Sequence, residues 1–428
     1  MLNLRLISSC GLCLLALAGA CAEDDGDGTD LPEGGAEDDG DGTDLPEGCD
    51  QLVEPSDDDQ SALAEAFVDA EDGSTICLAA GTFKPTRELL LTVNDATLRG
   101  AGIDDTTLDF AGQQTGGNGV AIKGNGVTLE AFQVSNTPGD GIRADQVENI
   151  TFSKVRVAWD ALHSLENGAY GLYPVQATGV VIRECEVIGA RDAGIYVGQS
   201  TNIIVEDSIA HDNVAGIEIE NSTDAQVRRN RAYDNTAGIL VFNLPGLDIK
   251  NGVRANVYDN DIYDNNTVSF ADAGTVVGKV PPGTGMLLLA ADRTEIHDNR
   301  LTNNLSTGIA IIGYTQELVD LGIFEAPNDP EYDVWSEGNY IHDNTFEGNG
   351  LMPDPLVQAL AGNMSPTPDI IVDGCADPEK DAADPALKNC VGEAATTRFM
   401  NADVCGKPTM VSTDTEQVAC TQPALPTD

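Results

Sequence analysis

The chain has 428 residues, a formal net charge of −49 and ten cysteines. A field of that sign makes nucleic acid and bare anionic lipid surfaces poor partners, and it disfavours polyanionic sugars unless divalent cations bridge them.

Residues 1–20 carry one basic residue, Arg5, then an apolar run too short to stay in a membrane as a helix, then small residues, which is the pattern of a bacterial export signal. Ala18-Gly19-Ala20 directly before Cys21 resembles a lipoprotein processing site. On that reading Cys21 begins the mature chain and bears a lipid that anchors it without spanning the bilayer; ordinary cleavage near Ala20 is the alternative. Ala22 after the cysteine, by analogy with Gram-negative lipoproteins, points to the outer membrane, so the expected location is the cell envelope.

Residues 21–49 hold AEDDGDGTDLPEGG followed by the same 14 residues ending in Cys49. So acidic a stretch has no apolar surface to bury and reads as a self-repelling tether. Its Asp-x-Asp-Gly pattern resembles a calcium loop but lacks the distal glutamate, so no cofactor or metal is expected and a solvated spacer is the reading. Residues 50–84 form an N-terminal cap, with an amphipathic helix over Gln60 to Ala70 that places Leu63, Phe67 and Ala70 on one side.

From 85 to 350 the chain repeats. Gly119, Gly141, Gly171, Gly194, Gly216, Gly238, Gly285 and Gly308 are mostly 22 or 23 residues apart, with one gap of 30 that holds an insertion and one of 47 that reads as two coils. Short β-branched runs at this period, without helical spacing, are the mark of a solenoid whose coils pair their backbones and bury alternate side chains in one core. The predicted fold class is all-β: a right-handed, single-stranded parallel β-helix (a pectin lyase-like solenoid) with a helical N-terminal cap and a small disulfide-bearing C-terminal extension. After each glycine the side chains alternate, so that Ile195, Val197, Ile217 and Ile219 point inward while Tyr196, Glu218 and Glu220 point outward. The recurring Asp-Asn pairs ending in Asn213, Asn235, Asn260, Asn299 and Asn344 suit turns that need a left-handed residue, and stacked asparagines also form amide ladders.

Residues 351–428 lose the period. Their Cys375, Cys390, Cys405 and Cys420, each 15 apart, read as two disulfides with three possible connectivities, and Cys49 with Cys77 as a third bridge closing the cap. Cys185 reads as a small buried hydrophobe.

Outward positions on neighbouring coils bring Tyr173, Gln176, Tyr196, Gln199, Asn221 and Phe242 to one face, with Asp192, Glu218 and Glu220 among them. Aromatic rings with flanking amides and carboxylates are what a saccharide groove requires. The same carboxylates are the candidate catalytic groups, since proton transfer needs a carboxyl of shifted pKa within hydrogen-bond reach.

The runs YGLYPVQ, DAGIYVGQS, AGIEIENS, AGILVFNLPG, VPPGTGMLLLA, GNYIHDN and PDIIVDG resemble a family of exported bacterial parallel β-helix repeat proteins, often lipoproteins, whose biochemical function is unknown. That resemblance implies a second exported protein as a partner and no particular reaction. More distantly the solenoid resembles pectate lyases, polygalacturonases and alginate epimerases. Where the epimerases have Tyr-Gly-Phe-Asp-Pro-His, this chain has Tyr170-Gly171-Leu172-Tyr173-Pro174-Val175, so tyrosine replaces the aspartate and valine the histidine. The Gly-His-Gly of polygalacturonases does not occur. With those patterns missing, the expectation is an envelope lipoprotein whose β-helix face binds a polysaccharide or a partner protein without catalysis. The alternative is a polysaccharide hydrolase, lyase or epimerase that uses Asp192, Glu218 or Glu220.

Overall fold

A computed structural model describes residues 45–381, 384–393, 397–406 and 412–427. The leader, Cys21 and most of the acidic tether lie outside them. The described chain is a parallel β-helix. One sheet has twenty short strands, two per coil over most of its length. The other has eleven: β1 (Arg87–Leu91), β2 (Thr115–Ile122), β3 (Ile142–Asp145), β4 (Tyr170–Val175), β5 (Ala193–Gly198), β6 (Ala215–Glu220), β7 (Ala237–Phe242), β8 (Thr284–Leu289), β9 (Thr307–Ile312), β10 (Ile370–Val372) and β11 (Phe399–Asn401). Each strand hydrogen-bonds to the equivalent strand of the next coil in parallel register, as in Ile195↔Ile217↔Ile239.

Alternation holds as predicted. Ile195, Val197, Ile217 and Ile219 are at most 1% exposed and stack into one continuous core with Val187, Val205 and Val227 from the first sheet. At its open end the core is covered by α1 (Asp59–Asp69), whose Leu63 and Phe67 are buried. Asp58 caps the helix by accepting from the Ser61 N–H at 3.1 Å. The polar side of α1 serves the first coil: Gln60 Oε1 accepts from the N–H groups of Thr86 and Arg87 at 2.9 and 2.8 Å, and Asp59 Oδ2 from that of Lys84 at 2.6 Å. Donors that a missing preceding coil would leave unpaired are thereby satisfied.

Three features differ from the sequence reading. The 47-residue gap is one coil, because β7 pairs directly with β8 through Ile239↔Met286; segments 243–252 and 264–283 are insertions within it. Coils also run beyond 85–350, since Thr75–Leu78 pairs with Thr97–Arg99, and Cys390–Gly392 and β11 pair with the coils before them. Finally, the left-handed residue at the Asp-Asn corners is the aspartate, with φ near +55° at Asp212, Asp234, Asp259, Asp298 and Asp343. The asparagines are instead buried in two ladders rather than one column. Asn213, Asn235, Asn265, Asn304 and Asn349 are linked Nδ2 to Oδ1 at 2.9–3.2 Å. Asn230, Asn260, Asn299 and Asn344 form the other, which ends on Glu393 Oε1.

The disulfides are Cys49–Cys77, Cys375–Cys405 and Cys390–Cys420, and Cys185 is a buried free thiol.

Stacked rings line the turn-side edge of the first sheet: His211 on Tyr233 on Tyr263, and Tyr258 on His297 on His342, about 5 Å apart. Both ring nitrogens of His342 face carboxylates, Nδ1 toward Asp343 Oδ2 at 2.7 Å and Nε2 toward Glu295 Oε1 at 3.0 Å. Such an imidazole fits best when doubly protonated. Burial lowers its pKa, but the hydrogen bonds to Asp343 and Glu295 outweigh this and leave it raised; His211, between Glu186 and Asp212, is raised in the same way. A raised folded pKa stabilises fully below the unfolded value of about 6.5 and is lost as pH rises through the folded one. The melting temperature should therefore fall from about pH 6.5 upward, and His342→Gln with His211→Gln should flatten that fall. Parallel melting curves for wild type and the double variant over this range would refute the assignment.

Candidate functional site

The face picked out by the sequence is the outer face of the second sheet, over β3 to β7. Register places Arg143 beside Tyr173, Tyr196 beside Glu218, and Glu220 beside Phe242. These side chains do point away from the β-helix core, yet most are not exposed. Tyr196 is 4% exposed, Glu218 3%, Glu220 7%, Asn221 0% and Phe242 1%, which corrects the expectation of an open groove.

The cause is a second apolar layer. Insertions 243–252, 264–283 and 313–335 and helix Pro355–Leu360 fold over this face, and Tyr196 and Phe242 join Phe270, Val280, Tyr314 and Tyr332 in a separate buried cluster. Tyr332 donates from its hydroxyl to the Asn243 carbonyl at 2.6 Å, and Lys250 pairs with Asp329, so two insertions are tied together above β7. Gln176 and Gln199 occupy left-handed turn positions, with φ of 53° each. Gln176 donates to Asp248 at 3.0 Å and Gln199 accepts from the Asp248 and Ile249 N–H groups, so both serve to hold an insertion and are not free to bind a sugar. Asn221 is likewise engaged with Leu244 and Ile249.

What stays accessible is the β3–β5 end, where Asp140, Arg143, Tyr170, Tyr173, Arg191 and Asp192 are half-buried. Tyr170, Tyr173 and Tyr196 pack together with ring centroids 4.4–4.9 Å apart, and the Arg143 guanidinium lies 4.8 Å over the Tyr173 ring. The site thus descends from a half-open rim to a buried floor formed by Tyr196, Glu218 and Glu220. Neither Asp140 nor Tyr170 is among the outward positions that alternation selects: Asp140 lies just before β3 and Tyr170 is the first residue of β4. The Asp140-Gly141 and Tyr170-Gly171 steps were the available signal.

Protonation on this face is unusual. Burial, and then the charge of Glu220, raise Asp192 to about 7 against the opposing pull of Arg191. Burial raises Asp140 to about 6 in spite of the Tyr170 N–H, Arg143 and Arg191. Glu218 is pushed well above the carboxylate range by burial and by the charges of Glu220 and Asp192. Glu220 is also raised by burial, but it accepts from the Tyr196 hydroxyl at 2.8 Å and from Glu218, and both contacts favour its ionised form. Within this neighbouring pair the mutual contact favours the protonated form of Glu218 and the ionised form of Glu220. Glu218 Oε2 is buried without a hydrogen-bond partner, and a lone buried polar atom of this kind is costly unless something else is to meet it. Burial also pushes Tyr173 up to about 12.

His163, from the insertion before β4, meets Asp212 at 3.1 Å, and its ring centroid lies 5.3 Å from that of Phe270. Among the described residues no group of three or more histidine, cysteine or acidic side chains is arranged to hold a metal ion.

Residues 118–245 match the family model described as right handed beta helix region. No curated protein matches the sequence. Among solved structures, the A-module of the mannuronan C-5 epimerase AlgE4 from Azotobacter vinelandii is 15% identical with a TM-score of 0.52, the alignment covering 80% of this chain and 95% of that one. The A-module of AlgE6 from the same organism is 16% identical with a TM-score of 0.50, covering 79% and 90%. At such identities the likeness establishes the fold: this chain is a right-handed parallel β-helix of the pectin lyase-like kind.

Proposed function

We propose that the Asp192, Glu218 and Glu220 cluster performs acid–base chemistry on a carbohydrate, and that the reaction is hydrolysis of a glycosidic bond. The observation that carries this reading is the pairing of Glu218, raised well above the carboxylate range and with an unmet buried oxygen, with Glu220, whose contacts favour its ionised form, beneath a rim where Asp192 is raised to about 7. Groups whose environments split their protonation states are what acid and base roles need. In this assignment Asp192, nearest the rim, gives a proton to the leaving oxygen. Glu220, held by Tyr196, serves the attacking side, and Glu218 holds the shared proton beside it. Tyr170 and Tyr173 offer sugar-stacking surface and Arg143 offers donors to hydroxyls.

The substrate class follows from charge. A uronate would meet Asp140, Asp192 and the Glu218–Glu220 pair, and the chain around them is strongly acidic, so a neutral glycan is favoured over a polyuronate. Tyr173 and Val175, where the epimerase pattern has aspartate and histidine, weigh against epimerisation. Burial of the floor favours one second reading: glycan held at Tyr173 and Arg143 without turnover, as an envelope binder would do.

The deciding experiment incubates the purified chain with neutral glucans, mannans and xylans and, separately, polyuronates, following reducing ends and unsaturated uronate. New reducing ends from a neutral glycan are expected. Binding without product would establish the second reading, and unsaturated product from a polyuronate would overturn the charge argument.

Localisation belongs to the same proposal. Lipid on Cys21 would hold this site at the envelope, where a second exported protein is the expected partner. Cys21→Ser should convert a membrane-fraction protein that labels with fatty acid into a soluble one; a wild type that is already soluble and unlabelled would refute the anchor.

A further inference from the structure

On the first sheet, outward side chains of four successive coils line a second face. Asn256 pairs in register with Glu295 and Glu295 with Tyr340, while Tyr258 pairs with Arg228 on the coil before. Asn256, Tyr258 and Glu295 alternate with the core residues Val257 and Ile296 and so point away from the core, yet they are only 1%, 6% and 3% exposed. Residues 421–427 lie across them. The Cys390–Cys420 disulfide fixes the start of this segment on the coil after Tyr340. From there it runs back toward Arg228 over about 19 Å, the rise of the intervening coils, so it must be close to fully extended.

Most of what holds it is main chain. The Leu425 N–H donates to Glu295 Oε2, Asn256 Nδ2 donates to the Pro426 carbonyl at 3.1 Å, and Arg228 Nη1 and the Tyr258 hydroxyl donate to the Thr427 carbonyl at 3.1 Å each. Of its side chains, Gln422 donates to the Pro385 and Lys388 carbonyls at 2.8 Å and Leu425 is half-buried, while the others are exposed. Main-chain bonds with a seat for one apolar side chain are how extended peptides are read.

The segment fills this groove incompletely in two respects. Asn256 Oδ1 is buried without a hydrogen-bond partner. A side-chain amide pairs with both the carbonyl and the N–H of one extended residue, but the residue at this place is proline, which has no N–H to give. Beside it, a space of ≈ 290 Å³ separates Pro423 and Leu425 from a wall that includes Arg254 and Arg293. Arg254 is paired with Asp224, whereas among the described residues the Arg293 guanidinium has no hydrogen-bond or ion-pair partner, in a chain where acidic groups far outnumber basic ones. A carboxylate on a side chain longer than proline, at the place of Pro423, is what that wall would attract.

We propose that this groove docks an extended segment of a partner protein, with an acidic residue two places before a leucine and a residue other than proline after it, and that residues 421–427 hold the groove in the partner's absence. A segment tethered at Cys420 competes at a high effective concentration, so contacts as few as these suffice to hold it. The groove is on the other sheet from the carboxyl cluster and does not depend on the reaction proposed there.

The test uses the full chain and a fluorescent, end-blocked peptide of residues 421–427 carrying Pro423→Glu and Pro426→Ala, with binding read by anisotropy. In the chain, Leu425→Gly loosens the segment at the surface, where folding is not at stake. One-site binding of the peptide to this variant is expected, several-fold tighter than to wild type. A peptide that keeps Pro426 should bind several-fold more weakly, since Asn256 Oδ1 is again unmet. Arg293→Glu added to Leu425→Gly should weaken the acidic peptide several-fold and leave a peptide that keeps Pro423 unchanged. Absence of saturable binding by folded Leu425→Gly overturns the proposal, as does equal affinity of wild type and Leu425→Gly, which would place the peptide elsewhere. Equal binding of the peptides with glutamate and with proline at position 423 would overturn the acidic class. A wild-type dimer that Leu425→Gly converts to monomer, with no peptide bound, would overturn the partner and give the groove to the same segment of a second copy.

Discussion

Asn235→Ala is expected to destabilise the protein by about 3–5 kcal/mol. Asn235 is fully buried. Its Oδ1 accepts from both the N–H and the Nδ2 of Asn213 at 2.9 and 3.1 Å, and its Nδ2 donates to the Ala210 carbonyl at 3.0 Å and to Asn265 Oδ1 at 2.9 Å. Alanine leaves several of these partners unmatched where water has no access, at about 1–3 kcal/mol each before relaxation. Leucine does no better, because the partners are backbone groups and neighbouring ladder amides that a hydrocarbon cannot satisfy. Asp234→Gly is the contrast. Asp234 holds φ of 54° at the exposed corner, a conformation glycine adopts without strain, so that change should be neutral or slightly stabilising. Urea midpoints of the two variants against wild type decide the matter. If Asn235→Ala costs less than about 1 kcal/mol, or Asp234→Gly costs as much as Asn235→Ala, the asparagines are turn residues and not a ladder.

That pair of substitutions marks where the fold was legible in the sequence and where it was not. Period and alternation revealed the solenoid, because each coil repeats the same physical problem: a short strand with one face to bury. Ile195, Val197, Ile217 and Ile219 solve it identically and lie where alternation places them. The cap was legible for the same reason, since an exposed coil end demands a cover. Corner chemistry was only half legible. An Asp-Asn step says that one residue turns and the other bonds, but the choice between them depends on which side chain faces inward, and that is set by neighbouring coils. The site was less legible still. Alternation reports whether a side chain faces the β-helix core, and Tyr196 and Glu218 do face away from it. It is silent about insertions 243–252, 264–283 and 313–335, which have no period and whose apolar residues, such as Phe270 and Tyr332, find their partners only in three dimensions. An outward position in the pattern is therefore not an exposed one, and the partner of the Gln176 and Gln199 amides is the chain itself.

Glu218→Gln is expected to remove about 10²–10⁴ of the turnover while leaving the melting temperature unchanged or higher, and this combination is the sharpest signature of the proposed site. The amide has the shape of the protonated carboxyl that burial and the charges of Glu220 and Asp192 impose on Glu218, so the buried floor keeps its packing. What is lost is the transferable proton shared with Glu220. A purely structural glutamic acid would show the same stability with no change in rate. The pH profile separates the partners. Asp192 is raised to about 7 and must be protonated to act as the acid, so the wild-type rate should fall as pH rises through 7. Asp192→Asn should lose that limb together with most of the activity. Glu220 must be ionised, so the rate should also fall as pH drops through its pKa, which the Tyr196 hydroxyl keeps lower than burial alone would allow. Tyr196→Phe removes that hydroxyl, raises the Glu220 pKa further and should move the acid limb to higher pH while the alkaline limb stays in place. If both limbs move together, or if Tyr196→Phe changes the rate uniformly at every pH, Tyr196 acts on the fold of the floor and not on the charge of Glu220.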